Sequence, residues 1–138
     1  MMKVLMVLFL VLNTNILLAK ENIADEVKIA VLNNIEYTQN ENMDKAMSSL
    51  HSQSPSYMPT KNMLKNVFGN YDLKYTLESY KYIAYDGDLA YVRVKQSTTK
   101  ISGPSFHNNV IDAVQAYRKE NGQWKLWSQM NINIEYKD

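Results

Sequence analysis

The chain has 138 residues, with 15 basic and 14 acidic side chains, 46% hydrophobic residues and no cysteine. That length fits one folded domain. The missing cysteines exclude disulfides, a lipid-anchored lipoprotein and a cysteine nucleophile, and a net charge of +1 without any run of like charges leaves no basic footprint for nucleic acid.

The first stretch has one positive charge at Lys3, an apolar run from Val4 to Leu12, and a small residue at Ala19. This is the layout of a secretory signal peptide covering residues 1–19, and it predicts a product exported to the periplasm or secreted. The competing reading is a buried N-terminal helix of the domain. The apolar run is far shorter than the roughly 20 residues a membrane span requires, so no span is expected after cleavage. Removing Lys3 leaves equal numbers of basic and acidic residues in the domain, residues 20–138.

Asn22 suits a helix N-cap, with Asp25 and Glu26 in the first turn, where negative charge favours the helix dipole. Ile23, Val27, Ala30, Val31, Ile35 and Thr38 then recur at helical spacing, predicting one long amphipathic helix. Tyr37 lies near its end, where a helix packed across a sheet can line a cavity mouth; an ordinary core or surface tyrosine is the plainer reading. Residues 42–50 read as a short second helix with Met43, Ala46, Met47 and Leu50 on one face. His51 to Pro59 reads as a loop, and Thr60 as the cap of a third helix carrying Met63, Leu64, Val67 and Phe68 and closed by Gly69 in a left-handed C-cap.

Strands follow. Leu73, Tyr75 and Leu77 alternate with polar residues up to a turn at Asp86-Gly87. Ala90, Val92 and Val94 alternate in the next strand, and a loop around Ile101 to His107 leads to a hairpin from Asn109 to Glu135. Its turn, Asn121-Gly122, is the strongest short hairpin signal, because both central residues need positive φ. A two-residue loop pairs Glu120 with Gln123 and, continuing outward, Tyr117 with Leu126, Gln115 with Ser128, Ala113 with Met130 and Ile111 with Ile132. A bulged three-residue loop would change that register. The opposite face carries Val110, Asp112, Val114, Ala116 and Trp127, too apolar for a purely solvated surface. Three helices before four long antiparallel strands make an α+β arrangement, a curved sheet wrapped around a helix as a cone, whose interior is the natural place for a pocket.

The turn Asp86-Gly87-Asp88-Leu89-Ala90-Tyr91-Val92-Arg93-Val94 and the closing Tyr117-Arg118-Lys119-Glu120-Asn121-Gly122-Gln123-Trp124-Lys125-Leu126, preceded by helices, resemble the nuclear transport factor 2-like superfamily, in its branch of polyketide-cyclase-like and ketosteroid-isomerase-like exported bacterial proteins. The resemblance spans nearly the whole domain, but its motifs mark the fold and no chemistry. It implies a cystatin-like cone, a homodimer formed through the outer sheet face (Val110, Val114, Ala116, Trp127), and a pocket used for catalysis in some members and for binding alone in many.

Catalytic members use a carboxylate or histidine in an apolar pocket with a tyrosine or neutral acid as hydrogen-bond donor. On the register above, the inward positions offer no carboxylate, and Asp112 points outward as a surface or dimer-rim residue. His51 and His107 sit in loops without carboxylates at ligand spacing, so no metal site is expected, and nothing in the sequence implies a cofactor. Tyr75, Gln96, Gln115, Tyr117 and Ser128 are the polar groups on otherwise apolar inward faces, hence the ligand-binding candidates; they could also satisfy one another in a purely structural network. The expectation is an exported, non-catalytic binding or accessory domain for a small apolar molecule or an envelope protein partner. The alternative is an isomerase, cyclase or hydratase-type enzyme using the cone cavity.

Overall fold

The computed structural model describes residues 22–137. The predicted signal peptide, residues 1–19, lies outside them. Helix α1 occupies residues 22–39, with Asn22 already helical. It is followed by α2 (Met43–Ser48), α3 (Tyr57–Asn70) and strands β1 (Asp72–Tyr85), β2 (Leu89–Ser102), β3 (Asn108–Glu120) and β4 (Gln123–Lys137). The strands form one antiparallel sheet in the order β1-β2-β3-β4, which is the expected α+β, cystatin-like arrangement. No helix among the described residues is long and apolar enough to cross a membrane.

Local chemistry explains most boundaries. Asn42 caps α2, its side-chain oxygen accepting from the Lys45 N–H at 3.0 Å. The third helix starts earlier than expected, with Ser56 rather than Thr60 at its N-cap. Pro59 therefore lies in the first turn, where a missing N–H costs nothing. Nor does Gly69 close this helix in the left-handed region; the helix runs on to Asn70 and ends on extended Tyr71. Asn121 (φ 52) and Gly122 (φ 77) form the predicted two-residue turn between β3 and β4.

The long strands bend because they are bulged. Register shifts occur three times between β1 and β2, and twice between β3 and β4. A bulge inserts one residue on one strand, bends it and increases twist. The sheet curls around α1 without closing, until Tyr85 of β1 meets Trp124 of β4 edge-on, ring centroids 5.8 Å apart. Val27 and Val31 of α1 pack on Ala90, Val92, Val94, Ala113, Tyr117 and Trp124, which form the main core on the concave face. A second core, Ala46, Met47, Leu50 and Leu64, joins α2 and α3 and reaches the sheet at Leu126.

Bulges also change which side chains face inward, since each inserted residue reverses the alternation. In β1 the concave series runs Leu73, Tyr75, Leu77, then Tyr80 and Tyr82, then Tyr85. In the hairpin, Glu120 pairs with Gln123 and Tyr117 with Leu126 as expected, but Trp127 is then bulged out and Ala116 pairs with Ser128. A second bulge at Ile132 brings Ile111 opposite Ile134. The expected pairs of Gln115 with Ser128, Ala113 with Met130 and Ile111 with Ile132 are therefore not formed.

Candidate functional site

The concave face carries a chain of polar side chains that the sequence placed only in part. Gln115 pairs with Gln129, and Ala113 with Asn131, so these amides share the concave face with Tyr117. The Tyr117 hydroxyl donates to Gln115 Oε1 at 2.9 Å, Gln115 Nε2 donates to Gln129 Oε1 at 2.8 Å, and Gln129 Nε2 donates to Asn131 Oδ1 at 2.8 Å. Tyr117 is only 1% exposed, and burial pushes its phenol well above the usual tyrosine range. Ser128, expected in this group, lies on the convex face beside Ala116 because of the Trp127 bulge. Gln129 takes its place. No feature of the sequence marks Trp127 as the inserted residue, since it is an ordinary strand former.

The two remaining candidates lie towards the open end of the cone. Gln96 sits between Leu77 and Ile111, and Tyr75 opposite Thr98. The Tyr75 N–H donates to Gln39 Oε1 at 2.8 Å, while Gln39 Nε2 donates to the Leu73 carbonyl at 3.0 Å, so the end of α1 is stitched to the β1 edge. Burial, with Glu41 nearby, raises the Tyr75 phenol. Tyr80, whose hydroxyl donates to the Ala24 carbonyl at 3.0 Å, is pushed up to about 12 by burial, with Tyr82 and Asp25 adding to it. Four of the five candidates thus share the concave face, and two of them, Gln115 and Tyr117, are hydrogen-bonded to each other. None of the five lines either of two prominent depressions, about 310 and 560 Å³ in volume.

The register places no carboxylate and no histidine on the concave face of the four strands. Asp112 is on the convex face, buried under Arg93, whose Nε and Nη2 donate to its two oxygens at 2.9 and 2.8 Å. Those hydrogen bonds hold its carboxyl below the usual range, against the opposing effect of desolvation. His51 is buried by its own chain, edge-on to Trp127 at 5.1 Å, and its Nδ1 accepts from the Gln53 N–H. Among the described residues no three of His, Asp and Glu converge as a metal site would need.

Of the convex residues expected at a dimer face, Val110 and Val114 are half-buried and Ala116 is buried. Trp127 is covered from within, by the Arg118 guanidinium 4.9 Å above its ring and by His51, while the Ser54 hydroxyl donates to its carbonyl at 2.5 Å. The smaller depression lies elsewhere, between α1, the end of α2 and the β3–β4 turn. Tyr37 lines it rather than the cone interior, together with Glu26, Asn33, Gln123 and Trp124. Sequence reasoning gave Glu26 only a helix-dipole role and passed over Asn33, though Glu26, Ala30, Asn33 and Tyr37 form a stripe at helical spacing beside the apolar one.

Three solved structures illustrate the fold's relatives. A provisionally named dehydratase of the NTF2-like family from Streptomyces avermitilis superposes with a TM-score of 0.66 at 16% identity, covering 80% of this chain and 94% of its own. A provisionally named scytalone dehydratase from Novosphingobium aromaticivorans gives 0.67 at 9% identity, covering 91% and 92%. A protein with a cystatin-like fold from Nostoc punctiforme gives 0.61 at 10% identity, covering 81% and 89%. At such identities the likeness speaks for the fold alone. No curated protein matches the sequence. Residues 30–137 match the family described as "Anti-sigma-I factor RsgI9, C-terminal domain", and the chain belongs to that family, on the nuclear transport factor 2-like fold.

Proposed function

We propose that this is an exported, non-catalytic accessory domain that holds a protein partner, in the first place a second copy of itself, against the uncovered outer half of β4. The observation carrying this reading is the exposure there of Met130 (63%), Ile132 (48%), Ile134 (39%) and Tyr136 (65%) along one strand. Scattered apolar residues are ordinary on a surface, but here Met130 lies towards the convex face and Ile134 and Tyr136 towards the concave one, so both faces of one exposed edge strand are apolar, as an interaction site would be. The strand is also an edge, so its backbone groups are open to pairing. In the family's namesake this domain stands at the C-terminal end of an anti-sigma factor, a position suited to an appended module. Tyr117, Gln115, Gln129 and Asn131 bond to one another on the concave face and no carboxylate or histidine joins them, which speaks for packing there rather than chemistry. An isomerase, cyclase or dehydratase reading, in keeping with the names of two structural neighbours, needs a carboxylate or histidine that the concave face of the strands does not supply.

Native mass spectrometry and light scattering of the protein purified from its own host test the proposal. A dimer or a stable complex, dissolved by Met130→Lys with Ile134→Lys, is expected. A monomer at every concentration with no co-purifying protein overturns it, and so does a monomer carrying a reproducible small-molecule mass, which would transfer the function to the interior.

A further inference from the structure

The other end of β4 carries an independent feature. Because Glu120 and Gln123 close a two-residue turn, alternate residues of β4 turn their N–H and C=O away from β3. Leu126 is one, and the chain itself uses it: the Leu126 N–H donates to the Ser49 carbonyl, and the His51 N–H donates to the Leu126 carbonyl, both at 2.9 Å. Residues 49–51 thus add to the sheet edge as a single parallel rung at Leu50. Trp124, two residues earlier, presents the same outward pair, and no backbone group among the described residues meets it.

Trp124 lies in the depression of about 310 Å³ between α1, α2 and the turn. Its indole is fixed there, Nε1–H donating to Glu26 Oε2 at 2.9 Å, with Lys119 3.7 Å from the same oxygen. Around it stand the amides of Asn33 and Gln123 and the hydroxyl of Tyr37, which make no hydrogen bond among the described residues. An unpaired strand-edge donor and acceptor beside free amides matches the main chain of an extended peptide, which binds by adding to such an edge. The rung at Leu126 is occupied, so the occupant cannot run along β4 past it, and the volume is at the small end of ligand sites.

We propose that this groove binds a short peptide of two or three small residues, extended along the β4 edge, its backbone paired with Trp124 and its remaining amides met by Asn33, Tyr37 and Gln123. The site is separate from the outer half of β4, so it stands or falls independently of the partner surface proposed above. The test is a ¹⁵N NMR titration of the folded protein with N-acetyl-trialanine amide, alongside its backbone N-methylated analogue. Saturable shifts of the Trp124 backbone amide and Gln123 side-chain amide are expected, about tenfold weaker with the N-methylated analogue and lost in Asn33→Trp. Ser48→Trp, at an exposed position bordering the groove, gives the same loss should Asn33→Trp fail to fold. The proposal is overturned by the absence of saturation up to about 10 mM, by equal binding of the N-methylated analogue, or by unchanged binding in a folded Trp variant.

Discussion

The two halves of β4 have similar strand-forming composition and different fates. From Gln123 to Trp127 the strand is wrapped: Trp124 packs in the main core, Leu126 bonds to residues 49 and 51, and Trp127 is held by Arg118, His51 and Ser54. From Gln129 to Lys137 every residue is exposed, although Met130, Ile132, Ile134 and Tyr136 are as apolar as those of the first half. Helix α1 meets β4 at Trp124 and crosses the sheet to the β1 edge at Leu73 and Tyr75, and residues 49–54 meet β4 at Leu126 and Trp127. Apolar character therefore does not decide burial along this strand; what decides it is which half the helical segments touch.

The contrast is broken first by stability. Tyr117 lies on the covered side, fully buried against Val27 and Val31. Tyr117→Ala should cost about 3–5 kcal/mol in urea unfolding, as large aromatic truncations in cores do. Leu50→Ala, which empties the second core and loosens the rung on Leu126, should cost about 2–5 kcal/mol. Tyr136→Ser, on the uncovered half, should stay within about 0.5 kcal/mol. A cost for Tyr136→Ser comparable to that for Leu50→Ala, in a monomer, would mean that the outer half is packed within its own chain.

Alkaline unfolding sharpens the same contrast with a smaller effect. Burial raises the phenols of Tyr117 and Tyr80, the latter to about 12. A group whose pKa is higher folded than unfolded stabilises fully below its unfolded value, about 10 for tyrosine, and loses that contribution as pH rises towards the folded value. Stability should fall from about pH 10 upward, and Tyr117→Phe should make the fall shallower when unfolding is followed across that window. An unchanged slope in Tyr117→Phe would show that this phenol ionises without the fold opposing it.

Much of this architecture is written in local signals. Helical spacing marked α1, the Asn121-Gly122 and Asp86-Gly87 turns marked the hairpins, and the resulting element order matches the structure. The concave site was legible only as far as the alternation held. Gln115 and Tyr117 precede the shift and sit where alternation puts them, whereas Ser128 follows the Trp127 bulge and is turned outward. Bulges of this kind arise from the curvature a sheet needs to wrap a helix, which is a tertiary demand that residues such as Trp127 and Ile132 do not announce. Helix α3 was entered late for a different reason: Pro55 and Pro59 suggest a loop when read in isolation, yet Pro59 is tolerated inside a first turn.

The smallest effect concerns Asp112, the one acidic group that catalysis would have wanted inside. Arg93 holds its carboxyl below the ordinary range, so the folded state favours the ionised form. A pKa lower folded than unfolded gives a contribution that is complete above the unfolded value, about 3.9, and that disappears as pH falls through the folded one. Asp112→Asn should therefore flatten the acid limb of the stability curve below about pH 4 and leave the alkaline limb untouched. Because Asp112 lies beside Val110 and Val114 on the convex face, any second copy docking there would cover the Arg93–Asp112 pair. The acid limb would then steepen with protein concentration in the native chain and not in Asp112→Asn. A limb whose steepness does not change with concentration in either protein would keep that face out of any interface between copies.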